Sequence, residues 1–121
     1  MTEIQNSKQY DLEERTLNFA KRVRSFVKKL PKTVANIEDG KQVIRSSGSV
    51  GANYIEANEA LSKKDFLMRV KICRKESKES RYWLQLINTN SEVELEQERS
   101  NLTKESGELM SIFGSILRKS E

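Results

Sequence analysis

The chain has 121 residues, of which 36% are hydrophobic and 33% charged, and its formal net charge is +4. This length suits one domain with a single, thin core, and thin cores favour self-association. One proline and five glycines fit long helices better than a sheet, so we expect an all-α fold. Because the chain has no histidine, a ferritin-like Glu-x-x-His metal centre and histidine-dependent catalysis are excluded.

The sequence also bears on the compartment. It has no apolar run of secretory type near its start and no stretch of about 18 apolar residues that could span a membrane. We therefore expect a soluble, cytoplasmic protein without membrane contact. The lone cysteine, Cys73, cannot form an internal disulfide and is expected to pack as a small apolar residue.

Helix 1 is predicted from Asp11, whose carboxylate caps it, to Leu30, where Pro31 stops it. Residues 1–10 carry no pattern and are predicted to form a flexible tail, which leaves residues 11–121 as the bundle domain. The apolar seam of helix 1 has alternating spacings of four and three and consists of Leu12, Thr16, Phe19, Val23, Phe26 and Leu30.

Helix 2 is predicted near residues 38–60, with a start that the sequence does not place. Small residues recur on it at helical spacing, so another helix can approach closely and offset the cost of about 1 kcal/mol for each interior glycine. These small residues are Ser47, Gly48, Gly51 and Ala52, and they lie among the apolar Val43, Ile44, Val50, Tyr54 and Ile55.

Helix 3 is predicted over residues 63–88, with Ser62 as its cap. Its heptad seam consists of Phe66, Val70, Cys73, Ser77, Ser80, Leu84 and Ile87. A polar turn at residues 88–91 leads to helix 4, predicted near residues 92–118 and started by Ser91. The seam of helix 4 is interrupted by Arg99 and Ser106 and consists of Leu95, Leu102, Leu109, Phe113 and Ile116. Four such helices predict an antiparallel up-and-down four-helix bundle, a single domain.

A long pattern runs across helices 2 and 3. It consists of Arg45, Ser49, Val50, Ala52, Asn53, Ile55, Glu56, Ser62, Phe66, Glu76, Glu79, Tyr82, Trp83 and Leu84. This pattern resembles the four-helix-bundle family named after the intervening sequences of bacterial 23S ribosomal RNA genes. With helix 1 aligned, the resemblance covers residues 10–117.

The resemblance implies a bundle that assembles with itself into a ring, a homopentamer. The chain is also similar to the accessory variability proteins of diversity-generating retroelements, which implies a basic surface that binds nucleic acid. The role of the family is poorly defined, so the resemblance carries the fold more than the function.

Basic side chains form stripes on the outer faces predicted for helices 1 and 3. The helix 1 stripe consists of Lys21, Arg24 and Lys28, and the helix 3 stripe of Lys64, Lys71, Lys75 and Lys78, with Tyr82 in line. A phosphate backbone favours such stripes because each neutralised phosphate releases condensed counterions. A lysine-rich face also simply keeps a small bundle soluble. Arg69, Arg74 and Arg81 lie nearer the seam, and we expect them to pair with acidic neighbours or to cross a subunit interface.

Four glutamates form two pairs at helical spacing, Glu56 with Glu59 and Glu76 with Glu79. Such pairs on adjacent helices resemble the Mg²⁺ site of all-α nucleotide pyrophosphohydrolases. The antiparallel register, however, sets Glu76 and Glu79 about two turns away from Glu56, so the four should not converge. We expect instead that Glu79 pairs with Arg45, and Glu56 with an arginine, to fix the helix register.

The remaining residues of the pattern are predicted to serve structure or subunit contact. Gly48 and Gly51 are explained by helix packing. Tyr82 points outward, and Trp83 either anchors an interface or covers the core. Asn53 bonds to a facing helix or a neighbouring subunit, unless it is simply exposed.

The sequence thus predicts a non-enzymatic bundle without cofactor or metal that binds itself, and binds RNA or DNA with little sequence specificity. A structural or adaptor oligomer with a protein partner is the alternative, because this fold does not fix function. A Mg²⁺-dependent nucleotide pyrophosphohydrolase is the third.

Overall fold

Four helices make up most of the chain in the computed structural model: α1 (Thr2–Lys28), α2 (Val34–Asn58), α3 (Lys63–Leu86) and α4 (Val93–Ser120). The structure describes the backbone of residues 2–120 and the side chains of residues 12–120. Each helix packs against the next, and α1 also touches α4, whereas α1 lies diagonally from α3 and α2 from α4. Because short loops join neighbouring helices, they run antiparallel. The predicted up-and-down four-helix bundle is confirmed.

The amino-terminal boundaries of the helices are where prediction and structure differ most. The backbone of α1 is already helical at Thr2, so the predicted start at Asp11 is wrong. No proline or glycine precedes Asp11, and the helix therefore meets no local stop signal. Because α1 continues through Asp11, this residue lies inside the helix and is not its N-cap. The flexibility of residues 1–10 stays a prediction.

The other helix starts are set by capping groups and a turn. Thr33 caps α2, and its Oγ1 accepts a hydrogen bond from the Asn36 amide at 3.1 Å. Ser62 caps α3 as predicted, accepting from the Asp65 amide at 3.1 Å. Ser91 does not start α4 but lies in the preceding turn, with a positive φ of 60°.

The predicted seams form the core. Every seam residue of α1 is buried, and so is every seam residue of α3 except the half-buried Phe66. Small hydroxyl side chains occupy several of the buried positions, and these are Thr16, Ser46, Ser47, Ser77, Ser80 and Ser106. Ser46 and Ser80 share a hydrogen bond of 2.7 Å between α2 and α3, so burial does not leave these hydroxyls unpaired. Ala52 and Ile55 belong to the group of small and apolar residues at which another helix was expected to approach closely, but both are exposed, Ile55 by 50%.

None of the helices in the described part of the chain is long and apolar enough to cross a membrane.

Asn36 joins two loops at one end of the bundle. Its Nδ2 donates to the carbonyl oxygens of Pro31 at 2.9 Å and Asn88 at 2.8 Å, and its Oδ1 accepts from the Asn88 amide at 3.0 Å. The side chain is buried. It therefore ties the α1–α2 connection to the end of α3.

Replacing Asn36 with alanine should lower the free energy of unfolding by about 2 kcal/mol, because buried backbone groups lose their partners. Urea denaturation followed by circular dichroism measures this change. Asn18→Ala, on the exposed face of α1, is the control and should change stability by less than about 0.5 kcal/mol. Equal stabilities for the two variants would contradict the proposed link.

Replacing Ser91 with glycine should raise the free energy of unfolding by about 1 kcal/mol, because a residue with a side chain is strained at this positive φ. Ser25→Gly, at an exposed position inside α1, is the matched control. It should lower stability by about 0.5 kcal/mol through helix propensity. Thermal or urea unfolding measures both, and a destabilising Ser91→Gly change would refute the assignment of strain to this turn.

Candidate nucleic-acid interface

The helix 3 stripe lies on the outer face of α3. Lys64, Lys71, Lys75 and Lys78 are all exposed, and none of them forms an ion pair with a described residue. Tyr82 continues the stripe and is 55% exposed. No described carboxylate pairs with these ammonium groups, and they lie at the solvent-facing surface where a polyanion would meet them.

The helix 1 stripe is exposed too, but it faces another direction. Lys21, Arg24 and Lys28 lie on the outside of α1, which is diagonal to α3. The guanidinium of Arg24 donates to the Ala20 carbonyl at 3.3 Å and lies beside Gly48 of α2. The structure thus does not bring the two stripes together into one surface of a protomer.

Most polar residues of the pattern in helices 2 and 3 form one network between α2 and α3. Arg45 forms an ion pair with Glu76 at 3.3 Å and another with Glu79, the partner that the spacing predicted. Ser49 donates to the same Glu76 oxygen at 3.3 Å. The second oxygen of Glu76, Oε1, is buried and has no hydrogen-bond partner among the described residues. This network is structural, because each of its charges faces the neighbouring helix.

Asn53 and Trp83 extend the network in opposite directions along the helices. The amide of Asn53 donates to the Ser49 carbonyl at 2.9 Å and accepts from Arg69 at 2.9 Å, so it bonds to the facing helix. The indole N–H of Trp83 donates to Glu79 at 3.4 Å, and its half-buried ring packs against the core. Of these contacts, the Asn53–Arg69 hydrogen bond joins α2 to α3 and helps to fix their register, whereas the Trp83–Glu79 hydrogen bond lies within α3.

The carboxylates do not assemble into a metal site. Among the described side chains, no group of three or more acidic, cysteine or histidine residues lies close enough to hold a metal ion. Glu76 and Glu79 instead face Arg45. Glu56 is exposed and the expected ion pair with an arginine is not formed in this part of the chain, since Arg69 donates to Asn53 instead.

Burial keeps the one thiol unreactive. Cys73 is buried in the core and donates to the Val50 carbonyl at 3.3 Å. Its burial raises the pKa of the thiol to about 12. Because the thiolate is the nucleophilic form, Cys73 is a packing residue, as predicted.

Arg74 and Arg81 extend the basic surface of α3 beyond the helix 3 stripe. Both are exposed, and the expected pairing with acidic neighbours is not formed among the described residues, whereas a contact of these arginines across a subunit interface stays a prediction. They lie on the α4 side of α3, where Arg74 approaches Gly114. The sequence did contain a sign of this second basic side, because Arg74 and Arg81 are seven residues apart and therefore lie on the same side of the helix.

The fold defines a helix-bundle protein. Its four helices run antiparallel, a polar network joins α2 to α3, and two of its outer faces are basic. The chain belongs to the 23S rRNA-intervening sequence protein family, whose model matches residues 8–115. It is similar to the solved crystal structure of a protein of unknown function from the S23 ribosomal protein family of Bacteroides thetaiotaomicron. The two are 32% identical with a TM-score of 0.75, over 92% of this chain and 98% of that chain.

No curated protein shows significant similarity to the chain. The expected similarity to the accessory variability proteins of diversity-generating retroelements stays a prediction.

Close packing requires only one of the two glycines in the middle of α2. A Cβ atom on Gly51 would lie 2.9 Å from Thr16 Oγ1 and 3.2 Å from Thr16 Cβ, which is too close. A Cβ atom on Gly48 would come no nearer than 3.6 Å to its closest neighbour outside α2, the Arg24 side chain. Thr16 is itself buried and short, so it cannot move aside easily.

Gly51→Ala should therefore lower the free energy of unfolding by about 1–2 kcal/mol through overpacking. Gly48→Ala, one turn away on the same helix, is the control and should raise it by up to about 1 kcal/mol through helix propensity. Urea denaturation compares the two variants. Gains of similar size at both positions would contradict the close approach of α1 to α2 at Gly51.

Proposed function

We propose that this protein binds RNA or DNA through the phosphate backbone, with little preference for base sequence. The observation that carries the proposal is the helix 3 stripe, whose four lysines are exposed and unpaired within the described residues. An ammonium that has no acidic partner is free to replace the condensed counterions of a phosphate. Lysine contacts to phosphates position a nucleic acid without reading its bases.

The length of the stripe suits a run of phosphates. Lys64 and Lys78 are fourteen positions apart on α3, which corresponds to about 21 Å along a helix axis. Phosphates of one duplex strand are spaced by about 3.4 Å along the axis, so roughly six of them cover this distance. Four lysines can therefore contact one continuous segment of backbone.

Self-association is part of the proposal. A thin core and exposed apolar side chains on α2 and α3 support it, and a ring of subunits multiplies the stripe and raises avidity without new contacts. The helix 1 stripe faces away from the helix 3 stripe. The helix 1 stripe therefore contributes to nucleic-acid binding either by contacting a second segment of nucleic acid or by adding to the helix 3 stripe of a neighbouring subunit.

A catalytic role has less support. The glutamates at the α2–α3 contact are engaged by Arg45, and the thiol of Cys73 is buried with a raised pKa. Both arrangements serve the bundle, and neither presents a reactive group to a substrate.

A structural or adaptor oligomer is the second candidate, and exposed apolar side chains favour it. Ile55, Met68 and Leu86 are between 48% and 52% exposed. The Asn53–Arg69 contact sets the antiparallel register, which places Ile55 of α2 at about the same level as Met68 of α3. A protein partner bound there would depend on these apolar residues and not on the lysines.

The triple variant Lys71→Glu, Lys75→Glu, Lys78→Glu tests the proposed function. Fluorescence anisotropy with labelled single-stranded and duplex RNA, at two salt concentrations, should show tight and salt-dependent binding by the unmodified protein. The variant should bind at least about tenfold more weakly, and the slope of log K against log salt should become shallower by about three on a duplex, about one for each lost contact.

The control is Lys29→Glu, Lys32→Glu, Lys41→Glu, which changes the net charge equally at exposed positions off the helix 3 stripe. It should lose less than about threefold in affinity, because only the long-range field changes. Equal losses in the two triple variants, or no RNA binding by the unmodified protein, would refute the proposed function.

A further inference from the structure

A groove of about 460 Å³ lies between α3 and α4. Three basic residues line it, Arg81, Arg99 and Lys104, and one acidic residue, Glu96. Three positive charges less one negative charge leave +2 in the groove. A groove with low-dielectric walls concentrates such a potential.

The net positive charge comes from two of the three basic residues. Arg99 forms an ion pair with Glu96 and donates to the Ile87 carbonyl at the end of α3, so its guanidinium is engaged. A hydrogen bond from Thr89 and the Arg99 charge hold the pKa of Glu96 below its usual value, so this carboxylate stays ionised. Arg81 and Lys104 form no ion pair with a described residue.

The arginines of the groove between α1 and α4, in contrast, form ion pairs with glutamates. There Arg15 pairs with Glu105 at 2.7 Å and Glu108 at 2.8 Å, and Arg22 pairs with Glu98 at 3.4 Å. The hydrogen bond with Glu105 raises the pKa of Arg15 further above its ordinary value. Lys21 also lines the α1–α4 groove without an ion pair among the described residues, but both arginines of that groove are engaged. The α3–α4 groove keeps an arginine, Arg81, as well as Lys104 unpaired within the described residues.

A hydroxyl group in the α3–α4 groove also lacks a partner. Thr103 lines the groove, and its Oγ1 is buried without a hydrogen-bond partner among the described residues. Buried polar atoms are nearly always paired, so a hydroxyl of this kind indicates a missing acceptor or donor. Gly107, on the same wall, adds no side chain, and the space beside its Cα is open. The Oγ1 atom is closed to solvent in this rotamer, so an acceptor such as a phosphate oxygen reaches it only after the Thr103 side chain turns toward the groove.

The groove continues the helix 3 stripe. Arg81 follows Lys78 by three positions on α3, and residues at this separation are neighbours on a helix surface. We propose that the α3–α4 groove binds a phosphate of the nucleic-acid backbone that follows the stripe, with Arg81 and Lys104 neutralising it and Thr103 donating a hydrogen bond once its side chain has turned toward the groove. This inference rests on the proposed function. It identifies the site to which the nucleic-acid backbone continues beyond the lysines of the helix 3 stripe.

The double variant Arg81→Ala, Lys104→Ala tests the groove with the same labelled RNA. Arg118→Ala, Lys119→Ala is the control, since it removes the same charge from exposed positions at the end of α4. The groove variant should bind about tenfold more weakly, and its salt slope should become shallower by between about one and two. The control should stay within about threefold of the unmodified protein.

Thr103→Val is a second variant that keeps the shape and charge of the groove. It should weaken RNA binding by roughly threefold to tenfold without changing the salt slope, because one neutral hydrogen bond is lost. Its unfolding midpoint should not fall, since the hydroxyl has no partner within the described residues.

Failure of the groove and failure of the proposed function give different results. If both groove variants bind RNA like the unmodified protein while the Lys71, Lys75 and Lys78 triple variant does not, the groove inference is overturned and the proposed function stands. If the unmodified protein binds no RNA, both are overturned.

Discussion

The contact of Arg45 with Glu76 and Glu79 fixes how α3 lies against α2, and much of the bundle surface follows from it. A slide or rotation of α3 would break one of these ion pairs, each of which contributes about 0–1 kcal/mol at this exposure, and would also disrupt the buried contacts of the seam. With one side of α3 held against α2 and its seam in the core, the opposite side must face outward. The lysines of the helix 3 stripe lie there, so the same constraint that sets the register also sets the direction of the basic surface.

The centre of the bundle explains how a chain with so few apolar residues packs. Hydroxyl and glycine positions bring the helices close together, as in the Ser46–Ser80 hydrogen bond and the contact of Gly51 with Thr16. Close approach increases van der Waals contact between backbones where large side chains are missing. The larger aromatic residues, such as Phe19 and Phe113, fill the remaining space and are fully buried. The core is therefore narrow, and the long exposed faces on either side of it are available for charge.

The parts of the fold that a single helix specifies could be predicted, and the parts that depend on a pair of helices mostly could not. The seam of α1 follows from its spacing alone, because period and burial are directly linked in a helix. The Arg45–Glu79 pair followed from antiparallel register. The cationic groove did not follow, since it depends on which arginines pair with glutamates: Arg15 and Arg22 do, whereas Arg81 pairs with none of the described ones. The start of α1 was missed because no residue before Asp11 stops a helix.

The helix 3 stripe and the groove beside it together give one side of the bundle a run of cations that form no ion pair with a described residue, which is the basis of the proposed function. Lysine footprinting tests this account most directly: the protein is acetylated with and without RNA, and the modification of each lysine is measured by mass spectrometry. The account predicts that RNA protects Lys71, Lys75 and Lys78 and leaves Lys29 and Lys41 reactive. Equal reactivity with and without RNA along α3, or protection confined to lysines elsewhere, would contradict it.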